Sequence, residues 1–192
     1  MMGVKGVNAI VLAGGKSRRM GRDKASLPLG EKTLIDCLLD LLKELFDRII
    51  VVGARPGVVM DASVFCVADE KPGIGPLMGI CSGLEASDTE CNFVTACDIP
   101  EFDKTFLKRM LERAGEYDIL VPRHPDGRHE PLFAVYKRRL LPLIRFCLDE
   151  GVTKIDRIYP LCRQGYIEIG DESMLTNINT PQEYSEYLGR LN

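Results

Sequence analysis

Directly after the apolar run Val7 to Ala13 the chain becomes glycine-rich and basic: Gly14-Gly15-Lys16-Ser17-Arg18-Arg19-Met20-Gly21-Arg22-Asp23-Lys24. Between Leu12 and Lys24 it places three glycines and five basic residues. Glycines let backbone N–H groups approach phosphate oxygens, and Lys and Arg neutralise the charge at close range, Arg with a bidentate fork. The chemistry suits a polyphosphate; a solvated surface loop accounts for the same residues without one. Counting excludes two familiar phosphate motifs. Gly15-Lys16-Ser17 resembles the end of a P-loop, but Ile10 stands where its first glycine belongs. The stretch Gly73 to Gly79 fails as a dinucleotide fingerprint, because it does not follow the first strand and Met78 replaces the third glycine.

Carboxylates and amides stand at other element ends. Asp98 follows an apolar run and precedes Pro100, where it can reach a hard cation beyond a sheet edge or cap the helix that follows. Asp69 precedes Lys71-Pro72-Gly73, where it can read N–H or hydroxyl donors or shape a turn. Asn177 and Asn179 precede Pro181 and can serve a ligand or order the turn before a helix. His124 and His129 flank a turn, and the surface is their expected place.

The elements that must position these groups follow from periodicity. Val7 to Ala13, Arg48 to Val52, Ser63 to Ala68 and Asn92 to Ala96 are short and apolar enough for buried strands. Thr33 to Phe46 carries leucines at helical spacing; Pro76 to Ala86 and Asp103 to Ala114 are predicted helices between strands. Such alternation predicts a parallel sheet covered by helices, with ligands beyond the carboxyl ends of the strands. Tyr117 to Val121 and Leu132 to Tyr136, joined through His124-Pro125-Asp126-Gly127, predict an antiparallel edge. Helical stretches at Arg138 to Asp149 and Thr153 to Tyr159, a strand at Tyr166 to Ile169 and a helix after Pro181 complete the chain. With no repeat or low-complexity linker, residues 1–192 are expected to form a single domain.

Composition bounds the function. A net charge of -3 gives no overall attraction to nucleic acid or anionic membrane, and basic residues outside the first loop alternate with acidic ones. Seven scattered cysteines without a C-x-x-C pair predict reduced thiols and no cysteine metal site. Without a signal-peptide pattern or an apolar run approaching roughly 18 residues, a cytoplasmic location is expected.

Read together, the motifs resemble the molybdenum cofactor guanylyltransferase family. The segment Leu12 to Lys24 is similar to its signature loop. Asp69 with Gly75-Pro-Leu-Met-Gly79, Cys97-Asp98-Ile99-Pro100, Glu130-Pro-Leu-Phe-Ala-Val-Tyr136 and Asn177-Ile-Asn-Thr-Pro181 follow in family order across nearly the whole chain. The resemblance implies a three-layer Rossmann-like α/β sandwich. It also implies transfer of GMP from GTP to the terminal phosphate of molybdenum-molybdopterin, with Mg2+ and release of pyrophosphate. Carried over residue by residue, Leu12, Ala13, Gly14 and Gly15 would hold the nucleotide together with Asp69. Lys24 and Arg18 would contact phosphates, with help from Ser17 and Arg19; Asp98, with Asn179 as a weaker second ligand, would hold the metal. Molybdenum enzymes or cofactor-assembly proteins are the protein partners such a role implies. The chain departs from many relatives in carrying Gly53 where they have asparagine at the end of the second strand. A cytidylyltransferase is the nearest alternative, usually marked by Ala-Ala-Gly where this chain has Ala13-Gly14-Gly15. A non-catalytic nucleotide-binding adaptor is the alternative of another class, and Lys24 and Asp98 argue against it.

Overall fold

The computed structural model describes residues 6–14, 24–171 and 174–191. In chain order its elements are β1 (Val7–Leu12), β2 (Pro28–Leu29), β3 (Lys32–Thr33), α1 (Leu34–Lys43), β4 (Ile49–Val52), β5 (Phe65–Val67), α2 (Pro76–Ala86), β6 (Cys91–Ala96), β7 (Glu101–Phe102) and α3 (Lys104–Arg113). There follow β8 (Ile119–Arg123), β9 (Phe133–Lys137), α4 (Leu141–Asp149), β10 (Gln164–Glu168), β11 (Leu175–Thr176) and α5 (Pro181–Leu191). The stretch predicted helical after α4 is a 3-10 turn at Ile155–Leu161.

A seven-stranded sheet in the order β10-β8-β9-β6-β1-β4-β5 forms the centre. β1 pairs in parallel with β4 and β6, β4 with β5, and β8 with β10, whereas β9 runs antiparallel to both β6 and β8. The mostly parallel α/β sandwich expected from the sequence is present. Its antiparallel strand, β9, lies inside the sheet rather than at its edge, because it inserts between β6 and β8, and β10 extends the sheet beyond β8. Every strand of this sheet except β9 therefore points the same way, and the loops after β1, β4, β5, β6, β8 and β10 gather at one end.

Alternation along β1 explains the two cores. Ala9 and Val11 face Ile35, Leu38, Phe93 and Phe106 on one side, while Ile10 and Leu12 face Leu77, Ile80 and Leu84 on the other. Fully buried strands of this kind need apolar residues on both faces. α1 starts at a reciprocal cap in which the Thr33 hydroxyl accepts from the Asp36 N–H and the Asp36 carboxylate accepts from the Thr33 N–H. Among the described residues no helix is long and apolar enough to cross a membrane. All seven cysteines are free thiols; burial pushes that of Cys81 up to about 11, out of the reactive range.

Candidate active site

The chain first builds a backbone junction at the sheet's carboxyl end. The strand ladder continues past its formal limits: Ala13 N–H donates to Val52 O at 2.9 Å, Gly53 N–H to Val67 O at 3.0 Å and Cys97 N–H to Leu12 O at 3.1 Å. Gly14 and Gly53 thereby meet backbone to backbone. A Cβ on Gly53 would lie 3.1 Å from Gly14 Cα, and Gly53 itself has φ +73°. The left-handed region favours glycine and, after it, asparagine. That preference gives a conformational reason for glycine at this position. Leu12 is buried against Gly79, where a Cβ would approach its Cδ2 to 3.2 Å.

Asp69 stands beside this junction, its Cβ 3.6 Å from where a Gly53 Cβ would be. Burial pushes its carboxyl up, against the lowering effect of a hydrogen bond from the Lys71 N–H. The turn role expected as one alternative is thus present. Yet Oδ1 is buried with no hydrogen-bond partner among the described residues, and an oxygen in that state costs about 1–3 kcal/mol. A donor arriving with a ligand removes that cost.

The second construction brings three distant residues together. Lys24, in the single turn Lys24–Ser26, donates from Nζ to Asp98 Oδ2 at 2.9 Å and to Asn179 Oδ1 at 3.2 Å. The turn is anchored by Ala25, which is fully buried in the core with Val11 and Ala13. Asp98 follows β6 and is not a helix cap. The cap of α3 is Asp103, whose Oδ1 accepts from the N–H groups of Thr105 and Phe106. Asn179 is brought alongside by β11, which pairs antiparallel with β7, Leu175 opposite Phe102 and Thr176 opposite Glu101. Ile178 N–H then donates to Asp98 O at 2.8 Å. Glu183 accepts from the N–H groups of Asn179 and Thr180, leaving the Asn179 side chain to face Lys24.

The lysine and aspartate side chains are 15% and 24% exposed, covered enough to be held in place and open enough to meet a ligand. Among the described residues no group of three or more His, Cys, Asp and Glu side chains is placed to hold a metal. Asp98 and Asn179 nonetheless offer hard oxygen donors at one point, which fits Mg2+, since that ion takes one or two protein ligands and completes its shell with water and phosphate. Gly15, Ser17, Arg18 and Arg19 lie outside the described residues.

Sequence reasoning misses one buried polar pair. His124 does not lie at the surface as its turn-rich neighbourhood predicts; it is 7% exposed and its Nε2 lies 2.9 Å from Glu130 Oε1. His129 is exposed, its ring stacked on Tyr166 at 4.8 Å between centroids.

Residues 9–163 match the family described as the MobA-like NTP transferase domain. The chain is 36% identical to the probable molybdenum cofactor guanylyltransferase of Pelotomaculum thermopropionicum, over 91% of this chain and 88% of that one. It is 29% identical to the molybdenum cofactor guanylyltransferase of Vibrio parahaemolyticus, with 93% of each covered. Among solved structures, the molybdopterin-guanine dinucleotide biosynthesis protein A of Archaeoglobus fulgidus superposes with a TM-score of 0.80 at 22% identity, over 96% of this chain and 98% of that one. A glycine junction at β1, a lysine–aspartate–asparagine cluster at β6 and a family match across most of the chain lead to one assignment: the chain belongs to the MobA-like NTP transferase family.

Proposed function

We propose that this chain is a molybdenum cofactor guanylyltransferase, joining GMP from GTP to the terminal phosphate of molybdenum-molybdopterin and releasing pyrophosphate. The observation that carries the reading is the convergence of Lys24, Asp98 and Asn179 beyond the end of β6, one strand from the glycine junction. Base and triphosphate then lie in line along the sheet end. The relatives' activity suggests the reaction, and the cluster of cation and oxygen donors supports it as a phosphate site.

Attack by an oxygen of the acceptor phosphate on the α-phosphorus forms one P–O bond and breaks the bond to the bridging oxygen, so pyrophosphate leaves with the electron pair. Both reactants are anions, so positioning and charge neutralisation are the protein's main task, and no protein nucleophile is needed. Lys24 provides a cation for the phosphates when it turns from Asp98 towards them, and Gly15 and Arg18 join it by their place in the signature loop. Asp98 and Asn179 would hold Mg2+, which when bound would supply positive charge to neutralise the phosphates. Leu12, Ala13 and Gly14 would support the nucleotide through their backbone. The Ala13 N–H already bonds Val52 O, leaving that donor to the sheet. Asp69 Oδ1, buried and unpartnered among the described residues, is suited to accept from the N–H groups of guanine.

Calorimetric titration with GTP, CTP and ATP, each with Mg2+ at one ionic strength, tests the reading. Selective GTP binding is expected. A preference for CTP moves the chain to the cytidylyl branch, and a failure to bind any triphosphate overturns the enzymatic reading.

A further inference from the structure

At the carboxyl ends of β8 and β10 lies a cavity of about 170 Å³ lined by His124, Pro125, Asp126, Ile169, Gly170 and Asp171. Its imidazole has an unusual balance of partners. Nε2 faces the carboxylate of Glu130, which as an acceptor fixes the ring proton on that nitrogen. Nδ1 is left buried and without a partner among the described residues. In the neutral ring that carries its proton on Nε2, Nδ1 is an acceptor, which an N–H or O–H donor satisfies. The lining also holds the carboxylates of Asp126, which pairs with Arg128 at 2.6 Å, and of Asp171, and among the described residues it contains no lysine or arginine. With acceptor oxygens on two sides and an acceptor nitrogen on the third, it favours a ligand edge rich in N–H donors. A cavity of roughly 150 Å³ accepts a molecule the size of benzene, so there is room for one heterocyclic ring.

Position decides which ligand. β8 is two strands from β6 and β10 is three, while β1 and β4 lie on the opposite side of β6. At roughly 4.8 Å between strands, the cavity is roughly 10–14 Å from Asp98, away from Gly14, Gly53 and Asp69. The chain itself links the two places: the segment that leaves the cavity at Gly170 and Asp171 continues through β11 to Asn179.

We infer that His124, held by Glu130, is a specificity-determining residue that receives the N–H-bearing edge of the acceptor's pterin ring, while the acceptor's phosphate reaches the Lys24–Asp98–Asn179 cluster. The inference rests on the proposed guanylyl transfer, and names the residue that reads the far end of its acceptor. An amino-pyrimidinone ring presents adjacent N–H donors, which an unpartnered acceptor Nδ1 can receive.

Two substitutions separate the nitrogens. In H124Q the side-chain amide reaches the place of Nε2 and keeps a bond to Glu130 but offers no acceptor at Nδ1; in H124N the amide oxygen stands near Nδ1. Initial rates with purified molybdenum-molybdopterin and GTP, alongside GTP calorimetry, are the readout. The expected result is a KM for the acceptor raised about tenfold in H124Q, the scale of leaving a buried N–H donor of the ligand unsatisfied. KM should change more than kcat, with GTP affinity within about twofold of wild type and partial recovery of KM in H124N. An unchanged acceptor KM in H124Q, beside a wild type that turns over, overturns this role alone. A wild type that binds GTP but does not use the acceptor overturns the proposed reaction and this role with it.

Discussion

Lys24 and Asp98, separated by 74 positions in the chain, form an ion pair of 2.9 Å at the point where the first and fourth strand ends of the parallel set meet. Partly exposed pairs of this kind add only about 0–1 kcal/mol to stability, so stability is a weak reason for holding it there. Under the proposed function, a lysine beside an aspartate and an asparagine oxygen would store a cation and a metal ligand together. Asp98→Asn keeps the shape and removes the charge. Its expected effect is a loss of transfer on the order of 10²–10³-fold, the scale of removing one electrostatic stabiliser of the transition state, with thermal unfolding almost unchanged. Pyrophosphate release measured across a Mg2+ series checks it, and turnover equal to wild type would remove Asp98 from the mechanism.

Gly53→Ala tests the backbone junction. The substitution places a Cβ 3.1 Å from Gly14 Cα at a residue whose φ is +73°. The opposing atoms belong to the Gly14 backbone, so the strain is not relieved by turning a side chain. A destabilisation of about 1–3 kcal/mol is expected, together with weaker GTP binding because Gly14 must shift. Urea unfolding with calorimetry on the same variant measures both. Full stability in Gly53→Ala would show that the junction is more yielding than the structure describes.

Asp69 sets a pH dependence of known sign. Burial raises its carboxyl above the ordinary value of 3.8, so between the unfolded and folded values the native state holds a proton that the unfolded chain has released. Stability then falls as pH rises through that window, and the penalty is complete above it. Asp69→Asn removes the penalty. The variant is expected to melt above wild type at pH 7, with the gap closing as pH falls below the usual carboxylate range, and to bind GTP more weakly. Melting curves from about pH 3.5 to 8, spanning the ordinary carboxylate range and neutrality, provide the check; parallel curves for the two proteins would refute the assignment.

Much of the fold is legible because its signals are local. Helix α2 begins where proline can occupy the first turn, and the predicted limits Pro76 to Ala86 are those observed. The buried strands β1, β4 and β6 announce themselves as short apolar runs. What the sequence hides is pairing over distance. β7 and β11 are two residues each, too short for any periodicity, yet their pairing brings Asn179 beside Asp98. His124 belongs to a polar, turn-rich stretch that reads as surface; it is buried in a place where it meets Glu130 across the hairpin and shares a cavity lining with Ile169 and Gly170 after β10, which its neighbours in sequence do not predict. Lys24 and Asp98 are recognisable as candidates through their motifs, and their pairing requires the fold.

Two aspartates five positions apart allow those roles to be separated by experiment. Asp103 caps α3 through the N–H groups of Thr105 and Phe106, which hold its carboxyl below the usual range. Asp98 faces Lys24 instead. Asp103→Ala should therefore cost about 1 kcal/mol of stability, the ordinary value of a lost N-cap, while leaving GTP affinity unchanged; the difference should fade as pH falls through the lowered carboxyl range of Asp103, because protonation weakens the same cap in wild type. Asp98→Asn should show the reverse pattern, with stability kept and transfer lost. Chemical denaturation and pyrophosphate release on the two variants, run side by side, decide the matter. If Asp103→Ala abolished transfer as fully as Asp98→Asn, the division between a helix cap and a phosphate site would have to be abandoned.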